Sequence, residues 1–325
     1  MNSLKFEGKG FEFFKIYFVN VILTILSLTF LYPWAKVRKI NYLCRKTFLA
    51  EKPFIFTGGT KEFFKGYIKT FLASLILIVI YIGGSAHLAS FQGSIISVVI
   101  TMVSYVILLG LLYFFAPLVL HGSLNYRLNH TLWGEVRSSY TGELSKLVSV
   151  CFIGSILTTL TAGIYGAWYL VKLLKYLLQH IRFGSLSFDF NGESKDLFLL
   201  FLKGFFLSLI TFGIYGIWFT KQLYEYSVKN IVVKKGDHEF KLSSNANSLE
   251  VFELIIGNFL LIFLTLGIGT SWAYMRYYRF IINHCIIPEE FNISFILDTS
   301  NEVETTENAG LSKNWLDKWN PTFIA

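Results

Sequence analysis

Charge is scarce in this 325-residue chain: Asp, Glu, Lys and Arg make up 15% of it, against about 25% in an ordinary soluble domain. Cysteine is scarcer still. Cys44, Cys151 and Cys285 are odd in number and far apart, which excludes a disulfide framework and a paired-cysteine metal site. The six histidines, His87, His121, His130, His180, His238 and His284, form no His-x-x-x-His pair, so no metal site is expected. Gly58-Gly59-Thr60-Lys61 lacks the spacing of a phosphate loop and reads as a turn. No Gly-x-Ser-x-Gly elbow is present, and no paired acids lie within an apolar stretch. No catalytic residue, cofactor or small-molecule substrate is therefore identified, and the expectation is a protein that is not an enzyme.

Apolar surface is abundant instead. Hydrophobic residues make up 54% and aromatics 18%, and the mean hydropathy is +0.53. Six runs, Phe13–Tyr32, Tyr67–Ala86, Ile95–Leu120, Leu147–Tyr165, Leu197–Trp218 and Val251–Trp272, approach or exceed the ~20 residues that cross a bilayer as a helix. The first is no removable signal, because Tyr32-Pro33-Trp34-Ala35-Lys36 follows it where a small-residue cleavage site would stand. The predicted fold class is an all-α integral membrane protein. It has about six hydrophobic helices in repeated units, with short interfacial amphipathic helices and small β-hairpins between them. The net charge of +8 then reads as the Lys/Arg excess of cytoplasmic membrane faces, with no nucleic-acid partner.

One phrase recurs. Thr211–Trp218 reads TFGIYGIW, Thr161–Trp168 reads TAGIYGAW, Thr265–Trp272 reads TLGIGTSW, and Thr29–Trp34 gives a shortened TFLYPW. An Asn or Gly precedes each Trp at one distance (Asn20, Gly154, Gly204, Asn258), and an aromatic follows at another (Tyr42, Tyr176, Tyr226, Phe280). The glycines suit a helix stop with positive φ, and the preceding Thr can bond back into the helix. Hairpin signals follow the basic segments, at Thr47–Thr57, in the alternating Phe183–Phe190, around Lys234-Lys235-Gly236-Asp237, and from Ile286 to Phe295. Between Tyr67 and Leu120 the unit is enlarged by a second run, joined through the uncharged His87–Ser94, and Tyr126 follows Pro117 as Tyr42 follows Pro33. The predicted organisation is a repeated-unit membrane domain over 1–297, with units near 4–57, 58–140, 141–190, 191–242 and 243–297. A polar acidic tail with a short amphipathic end occupies 298–325.

The string Tyr32-Pro33-Trp34-Ala35-Lys36-Val37-Arg38, with the Leu-Thr-x-Gly-x-Tyr phrase before the later tryptophans, resembles the YjgN-like family of bacterial inner-membrane proteins. The first copy lacks the Gly before Tyr32, and the later copies replace Pro-Trp-Ala-Lys. The resemblance implies a multi-pass place in the bacterial inner membrane and a repeated architecture, and no activity.

Tyr32, Trp34, Lys36, Arg38, Tyr165, Trp168, Lys172, Tyr215, Trp218, Lys221, Trp272 and Arg276 are the candidate interfacial anchors. Tyr and Trp favour the headgroup level, and the cations beyond them can meet lipid phosphates. Asn20, Lys203 and Asn258 lie inside apolar runs, where polar groups are costly and mark either a pathway or a helix contact. Two topologies compete. In one, adopted here, all six runs span; in the other, the single runs re-enter by breaking near Asn20, Gly154, Gly204 and Asn258. The leading functional expectation is a membrane scaffold whose partners are lipids and, potentially, further copies of itself. A transporter or channel for a small solute is the alternative, and a lipid-acting enzyme the third.

Overall fold

In the computed structural model the described residues are 4–89 and 95–297, excluding some side chains of the two longest helices and of the last short one. The order is β1 (Leu4–Phe6), α1 (Gly10–Leu26), α2 (Tyr32–Arg45), β2 (Thr47–Leu49), β3 (Lys52–Phe56), α3 (Thr60–Ala89), α4 (Ile95–Asn129), β4 (Thr131–Trp133) and β5 (Val136–Tyr140). Then come α5 (Leu144–Leu160), α6 (Gly166–Gln179), β6 (Ile181–Phe183), β7 (Leu186–Phe190), α7 (Ser194–Ile210), α8 (Gly216–Lys229), β8 (Ile231–Lys235) and β9 (His238–Lys241). The chain closes with β10 (Ser243–Ser244), α9 (Ser248–Leu264), α10 (Thr270–Asn283), β11 (Cys285–Ile286) and α11 (Ser294–Leu297).

The expectation of an all-α protein with about six spanning helices is overturned on two counts. First, β1 to β9 form one antiparallel nine-stranded meander in sequence order. The hairpins are not separate: β3 pairs with β4, β5 with β6 and β7 with β8, each across a helical pair. Second, no helix among the described residues is long and apolar enough to cross a membrane. Helices α1, α5, α7 and α9 are each 17 residues, a rise of about 25 Å against a hydrocarbon core of about 30 Å. The apolar runs looked longer because the turn that ends each helix is itself apolar. The chain turns at residues 27–31, 161–165, 211–215 and 265–269 and comes back along the helix it has just left. Re-entry breaks therefore lie after Asn20, Gly154, Gly204 and Asn258, not at them. Of His87–Ser94, the last three helical residues belong to α3; residues 90–94, and the tail at 298–325, lie outside the described residues.

Each unit is thus an entering helix, a tight turn, a returning helix and a strand pair. In sequence order the ten long helices pack each on the next, and α10 packs against α1, so the five pairs close into a circuit. Phe14 stacks on Trp272 at 4.7 Å, and the amide of Phe6 donates to Asn283 Oδ1 at 2.8 Å, which fastens the seam.

At the sheet end the strand loops converge. Leu49, Trp133, Val136, Phe183, Leu186, Val233 and Phe240 share one core with Phe291 and Ile296 of the C-terminal segment. The loops have two residues. Gly134, Gly184 and Gly236 supply positive φ in three of them, while Ala50 and Glu51 adopt φ of 47° and 65° without a glycine. Gly184 divides the alternating Phe183–Phe190 stretch into two strands, and Ile286–Phe295 is not a hairpin: β11 pairs with β10, and a turn and α11 follow.

A tyrosine ties four of the five pairs shut at this end. The hydroxyls of Tyr42, Tyr126, Tyr176 and Tyr226 donate to the carbonyls of Lys9, Gly59, Glu143 and Glu193, just before the entering helix, at 3.1, 3.0, 2.6 and 2.8 Å. This is why an aromatic keeps a fixed distance from each tryptophan. Burial pushes the Tyr42 and Tyr226 phenols up to about 12, so both remain donors at neutral pH. The fifth unit has Phe280 there, and His284 Nε2 meets Glu250 Oε2 at 2.9 Å instead.

Candidate functional site

The four short turns are built alike. A hydroxyl residue ends the entering helix, the next two residues take positive φ, and the returning helix begins. Thr161, Thr211 and Thr265 accept from the amides of Tyr165, Tyr215 and Gly269 at 2.9, 2.9 and 2.7 Å. In the first unit Ser27 accepts from Leu31 at 2.9 Å. The first copy is therefore not shortened: Ser27–Trp34 is a full-length turn in which Ser stands for Thr. The amides of Thr29, Gly163, Gly213 and Gly267 reach back to carbonyls five residues earlier at 2.7–2.8 Å, the six-to-one bond of a glycine-type helix stop. Thr29 makes that bond at φ 71°, where the other three are glycines.

The residue before each of those positions sits at the apex. Phe212 is 97% exposed, Leu266 94% and Leu28 84%, each at a φ near +50°. Leu26, Ile164, Ile210, Ile214, Leu264 and Ile268 around them are exposed too. Bare apolar apices repeated on one end of a closed circuit are not what water selects; contiguous patches of this kind mark an interaction surface. The sequence reading did not single out these apex residues and counted them only as the closing part of each apolar run. The available signal was a large apolar residue directly before the helix-stop glycine, repeated at 212 and 266.

Behind the apices the two helices of each pair cross where the sequence showed an Asn or a Gly. Asn20 Nδ2 donates to Ala35 O at 3.1 Å and Asn258 Nδ2 to Ala273 O at 3.3 Å. At Gly154 an added Cβ would stand 2.1 Å from the Tyr169 ring, and at Gly204 2.4 Å from the Phe219 ring. Asn faces Ala, and Gly faces an aromatic. Asn20 and Asn258 are helix contacts, though the Oδ1 of each is buried without a partner. Lys203 is exposed on the outside of α7 and has no ion pair among the described residues. The three do not converge. A shallow groove between α7 and α8, lined by Phe201, Gly204, Phe205, Ser208, Leu209 and Phe219, contains none of them.

The candidate anchors separate by position. Trp168 packs on Phe198 at 5.1 Å and Trp272 on Phe14, each wedged against the following unit, whereas Trp218 is 41% exposed. Tyr165 stacks on Trp168 and Tyr215 on Trp218, at 6.2 and 6.4 Å. Tyr32 belongs one residue later in the turn than Tyr165 and Tyr215, and its ring lies 5.4 Å from that of Tyr67. Among the cations, Arg38 covers the Trp34 ring at 4.5 Å, Lys172 donates to the Tyr165 hydroxyl at 2.8 Å, Lys221 pairs with Glu225 at 2.9 Å, and Arg276 reaches Glu253 O at 3.5 Å. Lys36 is half-buried on α2. No group of three or more metal-ligating side chains occurs among the described residues. Two histidines do find carboxylates: His130 with Glu62 and His284 with Glu250, at 2.9 Å each, between chain segments too far apart for spacing to reveal.

Residues 1–223 and 214–310 match a family described as bacterial proteins of unknown function, DUF898. The chain belongs to that family. Within it the YjgN-like resemblance holds: over 83 residues the chain is 34% identical to the inner membrane protein YjgN of Salmonella typhimurium. The match covers 25% of this DUF898 chain and 19% of that relative's length. The relative's name supports a membrane location for this chain. No solved structure matches it.

Proposed function

We propose that this DUF898 protein is a non-enzymatic scaffold of the bacterial inner membrane that enters the bilayer from one side through its helical turns. The observation that supports this reading is the exposure of Phe212, Leu266 and Leu28 at the apices of otherwise well-packed pairs. From the last charged residue of α1, Lys15, to its end at Leu26 is a rise of about 16 Å, close to one leaflet of a ~30 Å core. On the returning helices Lys36, Lys172, Lys221 and Arg276 follow the turns by about one and a half to two helical turns, from where their side chains reach toward lipid phosphates, at about 1 kcal/mol each. The opposite end is polar, with Lys46–Glu12 at 3.2 Å and Lys234–Asp189 at 3.2 Å, and it stays in water.

Flotation with phospholipid vesicles tests this. The Phe212→Asp, Leu266→Asp double variant should stay folded and lose most of its vesicle association, because an acid at membrane depth costs several kcal/mol. Single cysteines at 212 and 266, in a background without Cys44, Cys151 and Cys285, should resist a membrane-impermeant maleimide added on either side of sealed vesicles. Undiminished flotation of the double variant, or labelling of both sites by that reagent, would defeat the reading.

A further inference from the structure

Several cations on the returning helices have a defined partner, as described for Arg38, Lys172, Lys221 and Arg276. The inner side of the circuit differs. Lys36 and Lys39 lie one turn apart on α2 and so share a face. The Lys39 ammonium lies 3.9 Å from the centre of the Tyr274 ring of α10 and 5.9 Å from that of Phe13. Those two rings stack on each other at 5.4 Å, which makes an aromatic floor. Arg127 arrives from α4, near enough to bear electrostatically on Lys39, Tyr274 and Tyr278 although α4 does not adjoin α10 along the circuit. No acid among the described residues pairs with Lys36, Lys39 or Arg127; Glu12, at the start of α1, is taken by Lys46 and the Tyr42 hydroxyl.

Burial first, then Lys36 and Arg127, push the Lys39 ammonium below the ordinary lysine range. It is the only lysine among the described residues so affected; the paired Lys5 and Lys234 are raised by their carboxylates. Cation–π contact offsets a desolvated ammonium only in part. Three like charges drawn together without a counter-charge therefore define a place for an anion. An ammonium pair and a guanidinium fork suit the several acceptor oxygens of a phosphate better than a lone carboxylate.

We propose that the inner side of the helical circuit binds a phosphate group between Lys36, Lys39 and Arg127, over the Tyr274 ring. On the scaffold reading the phosphate is that of an anionic phospholipid headgroup; free phosphate has the same chemistry. The assay is phosphorus NMR line broadening on the full chain in a neutral maltoside micelle, with inorganic phosphate and dihexanoyl phosphatidylglycerol as separate probes. Wild type should bind at least one of them, and preference for the second assigns the lipid source. The Lys39→Gln, Arg127→Gln double variant should lose roughly tenfold or more in affinity, as expected for removing charge-assisted hydrogen bonds. A Lys229→Gln, Lys241→Gln variant, with the same change in net charge at exposed residues of the sheet end, should bind as wild type does. Lys36→Gln and Arg127→Gln alone, neither at a fully buried side chain, read the same loss if the double variant fails to fold. Absence of binding by both probes, unchanged affinity in folded variants of the cluster, or an equal loss in the sheet-end control would overturn the proposal. Micelles bypass vesicle insertion, so failure here and failure of the flotation test are separate results.

Discussion

Two kinds of short unit stand beside the enlarged α3–α4 pair in the circuit, and they solve one packing problem in opposite ways. Where α1 meets α2 and α9 meets α10, an asparagine amide bonds the backbone of an alanine. Where α5 meets α6 and α7 meets α8, a glycine admits an aromatic ring. Each pair is separated by 15 residues, so the geometry is shared and only the filling differs. A crossing can be held by a directional bond through a small partner or by a large partner pressed onto bare backbone. The two halves of either solution must change together.

That coupling gives the largest expected effect. Gly204→Asn inserts a side chain where a Cβ already stands 2.4 Å from Phe219, and should destabilise by about 2–3 kcal/mol. Adding Phe219→Ala converts the crossing to the Asn–Ala kind and should recover most of the loss in thermal melting in micelles. No recovery would mean that the two kinds are not interchangeable. Asn258→Ala, with the ring-bearing units untouched, removes the bond to Ala273 and should cost about 1 kcal/mol. A smaller effect of opposite sign is expected in the first unit. Thr29 holds φ 71° where its counterparts are glycines, so Thr29→Gly should stabilise by about 0.5 kcal/mol, the relief of left-handed strain exceeding the entropy glycine adds to the unfolded chain. The smallest effect belongs to Lys203, next to a crossing glycine but exposed. Lys203→Leu should leave melting within about 0.5 kcal/mol; a large loss would show that its charge, rather than the Gly204–Phe219 contact, holds α7 to α8.

Half of each crossing was legible in the sequence. Asn20, Gly154, Gly204 and Asn258 stood out by register, but Ala35, Tyr169, Phe219 and Ala273 hid beside the more conspicuous tryptophans, and no pattern of period or charge singles them out. The repeat, the YjgN-like resemblance and the helix-stop glycines were also readable. The reversal of the chain at those stops was not, because Leu28, Phe212, Ile214 and Leu266 are as apolar as the helices they end. Hydropathy summed along the chain cannot distinguish a residue that continues through the hydrocarbon from one that reverses in it. The sheet was missed for a different reason. Its strands are three to five residues long, and pairings such as Phe54 with Trp133 join segments with a whole helical pair between them. The turn at 234–237 showed where one pair of strands folds back, Gly184 passed as part of a single alternating stretch, and nothing local shows which neighbour a strand then meets.

The seam between α10 and α1 has a consequence for how the assembly can vary. An open array of repeats needs special outer members to cover its two ends, and tolerates gain or loss of a copy. A loop of five pairs has no outer members. Phe6 and Asn283, 277 residues apart, meet only when every intervening pair contributes its share of rotation. Deleting one unit would therefore do more than shorten the molecule: it would leave two apolar flanks facing each other across a gap. The number five is part of the architecture in the way a keystone count is part of an arch, and lengthening one pair, as α3 and α4 do, alters the molecule without disturbing that count.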